Sequence, residues 1–434
     1  MKRRILCLIL LTMMPLLKTQ AATTSAKKMP NGLLWIHRRV THNQIVAFHL
    51  FFPGGSSLEP AAKAGITALT ASVMFKGTVS RSALRIAQEA ESLGAALDSQ
   101  SANDYWEVSG QSVAENFNGL FDLFQDVLLH PSFPAEEFAK EKAAHLNDIR
   151  AKKEHIFEVA YDRLQKETFG DHPYARPEEG TESSVGSLTR DDLVDWHRTT
   201  VSPNGAVLVT VGNLPAKKME SLLRRAFAGW TAAGETPAAP GAPVYNNAPV
   251  SAEEPHPFEQ SYLMLAYPAP GVDDPSYPAV KVLNAYLGAG MSSPLFQAVR
   301  EQGSLAYEVS SFYGSRKWGS AFVIYAGTDP STLNDAERRM AHVLKNILQR
   351  PLTPEELADT QRYIRGHYMM DHQTNSRMAW YLGWWEMLEK KHEHDARYPA
   401  DVAAVSVEDV RRAARTIFSR PAVRVVIRSQ KKKS

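Results

Sequence analysis

Three ordered stretches in the first half of this chain recur in the second half. An apolar run from Ile45 to Phe52, then Pro53, a loop, Pro60 and an alanine-rich helical stretch, is matched by Tyr262 to Tyr267, Pro268, a loop, Pro275 and another helical stretch. The two prolines fall at the same spacing in both. Phe133-Pro134-Ala135-Glu136-Glu137-Phe138 answers to Leu352-Thr353-Pro354-Glu355-Glu356-Leu357, each opening a long helix. Leu188-Thr189-Arg190-Asp191-Asp192-Leu193 starts a helix that leads to a β-branched strand, Ala206 to Val211. Val405-Ser406-Val407-Glu408-Asp409-Val410 and Ala422 to Ile427 repeat that order, with a Thr or Ser ahead of an acid as the N-cap signal. The chain therefore reads as a duplicated α+β domain, and strands followed by runs of helix imply that each copy is a mostly antiparallel sheet with helices packed on one face. Residues 231–257 are Ala, Gly, Pro, Thr and Asn with hardly any large apolar side chain. They read as a linker between an N-terminal domain over 29–230 and a C-terminal domain over 258–434.

The first 22 residues have a different character. Lys2-Arg3-Arg4, an apolar run from Ile5 to Leu17 and the ending Thr19-Gln20-Ala21-Ala22 form the layout of a cleavable secretory signal, which predicts export to the periplasm and a mature start near Ala22 or Thr23. An uncleaved anchor is the alternative, but Lys18 closes the run early, and no later stretch approaches the roughly 20 apolar residues of a membrane span. Cys7, the only cysteine, lies in this segment, so the mature chain is expected to use neither disulfides nor thiol catalysis. The formal net charge is +2 and the signal carries four positive residues, which leaves the mature protein near −2 and without the basic surface of a nucleic-acid binder. Lys431-Lys432-Lys433 reads as a solvated end.

The segment Gly65-Ile66-Thr67-Ala68-Leu69-Thr70-Ala71-Ser72-Val73-Met74-Phe75-Lys76-Gly77-Thr78 resembles the insulinase-type (pitrilysin and mitochondrial processing peptidase) segment G-L-A-H-F-L-E-H-M-L-F-K-G-T. The flanks agree and the middle does not. In that family H-x-x-E-H places two histidines on one helix face to bind zinc, with the glutamate activating water. Here Ala68, Ala71 and Ser72 stand in those places. The third ligand, a glutamate about 76 residues after the second histidine, corresponds to Asp148 in Leu146-Asn147-Asp148-Ile149. Alanine offers no donor atom, serine is a poor zinc ligand and aspartate is a methylene short, so the resemblance implies no metal in this chain. As plain helix residues, Ala68, Ala71 and Ser72 pack a core. Gly94-Ala95-Ala96-Leu97-Asp98 to Tyr105 resembles the family's substrate-holding edge strand, and His172-Pro173-Tyr174 with Gly180-Thr181 resembles its H-P-Y…G-T loop.

The second half retains a different family motif. Leu283-Asn284-Ala285-Tyr286-Leu287-Gly288-Ala289-Gly290-Met291-Ser292-Ser293-Pro294-Leu295-Phe296, followed by Arg300-Glu301-Gln302-Gly303-Ser304-Leu305-Ala306-Tyr307, is similar to L-N-x-x-L-G-G-G-x-S-S-R-L-F and R-E-x-x-G-L-A-Y. Pro294 and Glu308 depart from the usual Arg and Ser. The resemblance implies that Arg300 and Tyr307 bind the substrate backbone at a partner's zinc site, the Tyr also steadying the oxyanion. Gly288-Ala289-Gly290 lacks the Gly-Lys-Ser/Thr of a phosphate loop and reads as a turn. His367, Asp371 and His372, His145 beside Asp148, and His392-Glu393-His394-Asp395 read as solvated or satisfied groups rather than metal ligands, and no Gly-x-Ser-x-Gly elbow exists.

These readings converge on a non-catalytic, substrate-binding subunit of a heterodimeric zinc metallopeptidase that degrades unfolded peptides. Its partner would be a homologous chain carrying H-x-x-E-H and the zinc; alone, this chain is expected to be inactive. A catalytically dead peptide-binding or scaffolding protein of the same fold is the alternative, and a single-chain hydrolase with an unrecognised metal site is the weakest reading.

Overall fold

The computed structural model describes residues 24–232 and 237–430. The signal segment and the lysine tail lie outside them. Among the described residues eleven strands form two sheets. The first contains β1 (Thr24–Lys28), β2 (Leu34–Arg39), β3 (Ile45–Pro53), β4 (Ala96–Ser101), β5 (Tyr105–Val113) and β6 (Val207–Gly212) in the order β1-β2-β6-β3-β5-β4. The second contains β7 (Val250–His256), β8 (Ser261–Ala269), β9 (Glu308–Tyr313), β10 (Ser320–Thr328) and β11 (Val423–Ser429) in the order β7-β11-β8-β10-β9. With β1 set aside the two orders are the same, down to the one parallel pair in each, β2 with β6 and β7 with β11. All other pairs are antiparallel. The α+β class and the duplication read from the sequence are what the chain forms.

The local signals explain where helices begin. Thr189, Ser406 and Thr353 each close a capping box at the start of Arg190–Thr200, Val407–Phe418 and Pro354–Asp371. The linker is shorter than its composition suggests. β7 occupies the end of the stretch read as linker, and β1 precedes the expected domain start at residue 29. Both are exposed edge strands bearing charges or proline, so they lack the apolar alternation by which a strand is recognised.

The central strands are buried on both faces. In β3, Val46, Phe48, Leu50 and Phe52 enter a core with the first half's own helices, whereas Phe51 points to the other side. In β8, Leu263 and Leu265 face their own helices, and Tyr262, Met264 and Ala266 face away. Near-continuous apolar strands such as these require cover on both sides. Each half supplies helices to one face of its own sheet, and the second face is covered by a helix from the other half. Helix Ile156–Phe169 packs Ala160, Leu164 and Phe169 on the far face of the second sheet. Helix Asn375–Met387 packs Ala379, Leu382 and Met387 on the far face of the first, against Ile36, Phe51, Val207 and Val209. These two helices occupy equivalent places in the repeat, so the halves exchange them reciprocally.

Polar contacts cross the same seam. Arg38 Nη2 meets Asp395 Oδ2 at 3.1 Å, and Asn375 Nδ2 donates to Ile45 O at 2.6 Å. Buried Asp104 accepts from the Tyr174 hydroxyl and from the Lys317 amide at 3.0 Å, while the Arg316 guanidinium lies over the rings of Phe169 and Tyr174. Burial pushes the Asp104 carboxyl above its ordinary range.

Gly383 shows how closely the exchanged helix sits. A Cβ at that position would lie 2.0 Å from Cε2 of the fully buried Phe51 ring. Gly383→Ala is therefore expected to destabilise the protein by about 1–3 kcal/mol, although alanine favours an open helix by about 1 kcal/mol over glycine. Gly366→Ala, in helix Pro354–Asp371 with open space around it, is expected to be neutral or stabilising. Thermal unfolding of the two variants checks the contrast; a Gly383→Ala midpoint at or above wild type would contradict the packing.

Candidate functional site

Helix Ile66–Val73 carries the positions where the family's zinc ligands stand. It starts at Gly65, whose φ of 90° turns the chain, and a Cβ there would lie 2.3 Å from the Glu179 carbonyl. Gly180 is placed the same way against the Ala64 carbonyl, so the Gly180-Thr181 loop packs on the helix start. The Glu59 carboxylate accepts the Gly65 and Thr67 amides at 2.7 and 2.8 Å, satisfying N–H groups that the helix leaves unpaired. Trp196 Nε1 donates to Thr67 Oγ1 at 3.1 Å. The helix is thus held rigidly, and Ser99 Oγ on edge strand β4 donates to the Ala71 carbonyl at 3.1 Å.

Within that frame Ala71 is buried in the core and Ala68 half-buried. Ser72 Oγ donates to Glu141 Oε2 at 2.5 Å, and Lys76 Nζ meets Glu141 Oε1 at 3.0 Å. Asp148, the residue reached by the family spacing, is exposed two turns further along helix Ala135–Lys152. The carboxylate that the fold sets against Ser72 is therefore Glu141. Sequence reasoning missed it, although its place seven residues before Asp148 puts it on the same side of the helix. The donors on hand are one hydroxyl, already hydrogen-bonded, and one carboxylate, already paired with a lysine; the imidazole one turn along the helix, His145, is held by the Glu179 carbonyl. They do not fit a zinc ion, which in such sites takes three nitrogen or carboxylate ligands and a water.

Arg300 and Tyr307 belong to the other half. Arg300 is exposed on a π-helical turn, Phe296–Glu301, with its guanidinium 5.2 Å from the Phe296 ring. Tyr307 is 57% exposed just before β9, and its amide donates to the Gly327 carbonyl at 2.9 Å. The π-turn packs on β9, and Tyr307 is the residue just before that strand. Glu308, where the family has Ser, accepts from the buried Tyr262 hydroxyl. No hydrogen bond or ion pair among the described residues joins Arg300 or Tyr307 to Ala68, Ala71, Ser72 or Asp148.

The lesser candidates are engaged elsewhere. His145 Nε2 meets the Glu179 carbonyl at 2.7 Å, and Asp371 pairs with Arg377. His372 Nε2 lies 2.7 Å from Asp395, and the His367 ring lies tilted against Tyr363 with centroids 4.2 Å apart. Ligand atoms of Glu386, His392 and Glu393 gather within 4.8 Å, but His392 Nδ1 is hydrogen-bonded to Glu386 Oε1 at 2.6 Å, which raises its pKa above the ordinary imidazole value.

Glu59 supplies a test of the frame itself. Burial pushes its carboxyl up to about 7, partly offset by the hydrogen bonds from Thr67 and Gly65. A carboxyl with a raised folded-state pKa contributes stability that is complete below its unfolded value and is lost as pH rises through the folded one. The wild-type protein is therefore expected to lose stability relative to Glu59→Gln between pH 5 and pH 8, by at most about 3 kcal/mol. Denaturant unfolding of both proteins across that window checks it, and parallel curves would show that Glu59 stays charged throughout.

Comparison with known proteins matches this arrangement. Residues 36–182 match the family model described as Insulinase (Peptidase family M16), and residues 187–364 match the model described as Peptidase M16 inactive domain. An uncharacterized zinc protease of Mycobacterium tuberculosis is 29% identical over 399 residues, covering 90% of each chain. One of Bacillus subtilis is 27% identical over 375 residues, covering 86% of this chain and 90% of its own. Among solved structures, a peptidase M16 inactive domain from Pseudomonas fluorescens superposes with a TM-score of 0.88 at 24% identity, covering 95% of this chain and 99% of the other. A protease from Helicobacter pylori superposes with a TM-score of 0.87 at 18% identity, covering 94% of this chain and 100% of the other. With both halves matched in order and the two-sheet fold shared, the chain belongs to the insulinase family of zinc peptidases, peptidase family M16.

Proposed function

We propose that this chain is the non-catalytic, substrate-binding subunit of a heterodimeric zinc metallopeptidase that degrades unfolded peptides in the periplasm. The observation that carries the reading is the contrast between its halves. The positions that hold zinc in the family lack a fitting donor set, whereas Arg300 and Tyr307 remain exposed in the second half. Among the described residues Arg300 forms no ion pair, so its charge is left for a ligand rather than used in the fold. A homologous chain with H-x-x-E-H would supply the zinc and the water-activating glutamate. Edge strand β4 leaves one side of its backbone unpaired, the feature an extended peptide uses to add a strand. The basic, apolar and small-residue order of the first 22 residues supports export.

A dead peptide-binding or scaffolding protein of the same fold is the competing reading, favoured by the loss of the zinc donors taken alone. An exposed Arg and Tyr in the family's R-E-x-x-G-L-A-Y spacing are of no use to a pure scaffold.

Two measurements test the proposal. The purified chain is expected to hold only substoichiometric zinc by elemental analysis, and one tightly held zinc per chain would contradict the donor argument. In the complex reconstituted with a homologous chain bearing H-x-x-E-H, Tyr307→Phe is expected to lower kcat for an unfolded peptide by about a hundred- to a thousand-fold, as loss of one oxyanion donor does. Arg300→Ala is expected to raise KM as well, with the chains still associated and the partner's zinc in place. Wild-type turnover by the double variant would favour the scaffold.

A further inference from the structure

Three side chains distant in sequence line up at the seam between the halves. Ser376 Oγ lies 2.9 Å from His49 Nε2, and His49 Nδ1 lies 2.7 Å from Glu107 Oε2. His49 stands on β3 and Glu107 on β5, and cross-strand pairing puts both on the face covered by helix Asn375–Met387, whose second residue is Ser376. We propose that Ser376, His49 and Glu107 form a catalytic centre of this chain's own, apart from peptide cleavage: a serine esterase site for small apolar acyl esters.

The order of groups is that of an activated hydroxyl. A carboxylate can only accept, so Glu107 holds the proton of His49 on Nδ1 and leaves the Nε2 lone pair facing the serine hydroxyl. Both distances lie within the reach of a nucleophile–base and base–orienter pair, about 2.6–3.2 Å. His49 is 6% exposed and Glu107 3%, with the His49 ring stacked beside Phe51, so base and carboxylate sit in a fixed, water-poor setting. Ser376 is only half-buried and can meet a substrate.

The surroundings suit an ester carbonyl. Thr374 Oγ1 takes the Arg377 amide at 3.1 Å, while the amides of Asn375 and Ser376, in the first turn, have no acceptor within the helix. They lie next to the nucleophile, where an oxyanion would form. Ile45 and Val113, opposite each other in the β3–β5 pair on the same face as His49, are 37% and 39% exposed. They form a shallow apolar ledge, and the Asn375 side chain is anchored to the Ile45 carbonyl. A ledge without a deep cavity fits a short acyl chain.

The chemistry closes without a metal or cofactor. Ser376 Oγ attacks the ester carbonyl carbon as its proton passes to His49 Nε2. The bond to the leaving oxygen breaks, and that oxygen takes the proton from Nε2 and departs as the alcohol. Water, deprotonated by Nε2, attacks the acyl-serine, and the carboxylic acid leaves as the Ser376 hydroxyl regains its proton.

The test uses the full mature chain, a fluorophosphonate probe and p-nitrophenyl butyrate. Peptide mapping is expected to place the label on Ser376. Chelator-insensitive ester hydrolysis is expected to fall at least about a hundredfold in Ser376→Ala, the scale of general-base catalysis. If Ser376→Ala does not fold, Ser376→Cys decides, in a mature chain that has no other cysteine. Its thiol should react with iodoacetamide at pH 6 at least about tenfold faster than one introduced by Val79→Cys at an exposed site, because a neighbouring imidazole favours the thiolate. Absence of label on Ser376, hydrolysis untouched by Ser376→Ala, or equal alkylation rates would reduce the three residues to a structural clasp.

Discussion

The reciprocal loan of one helix between the halves is the packing constraint on which the rest of the structure depends. Each sheet has strands that are apolar on both faces, and neither half covers more than one face with its own helices. The other face is sealed by Ile156–Phe169 in one direction and Asn375–Met387 in the other. Withdrawing either helix would expose a continuous apolar surface, at about 25 cal/mol for each Å², so the halves are bound to each other through their cores. The contacts seen at the seam follow from that: Phe51 fits against Gly383, Arg38 reaches Asp395, and Tyr174 in the H-P-Y loop ties Asp104 to the segment around Lys317.

The same scaffold explains how the first half keeps its shape with Ala68, Ala71 and Ser72 at the positions where the family has zinc-site residues. Alanine and serine fill the helix positions of larger ligands, Ala71 joins the core, and Ser72 satisfies its hydroxyl on Glu141 while Lys76 balances the carboxylate. Ser72 and Glu141 thus each have a polar partner, which is the condition for such a replacement to cost little stability. Glu59, Gly65 and Gly180 hold the start of that helix in place. The family's fold thus persists around a helix with a different set of side chains.

Much of this was readable from residue order. The paired prolines and the Thr or Ser caps located strands and helices in both halves, because capping and turn formation are decided within a few residues. The absence of zinc donors at Ala68 and Ala71 was equally plain, because an alanine has no donor in any fold. The edge strands β1 and β7 were not legible, since a charged, exposed strand has no periodicity to mark it. Glu141 was passed over for Asp148 because counting residues fixes a position along a helix without saying which turn meets a neighbour.

What the sequence determined by itself was the repeat, the class of fold, the family and the residues that cannot bind zinc, all of which rest on local propensity and side-chain identity. What only the tertiary structure decided was which helix covers which sheet and which side chains meet across the seam. Ser376 and His49 are 327 residues apart, and His49 and Glu107 are 58 apart. No short-range pattern links such residues. Their alignment arises because burying two double-faced sheets forces each half to place a helix, and the side chains at its N-terminus, on the other half's strands.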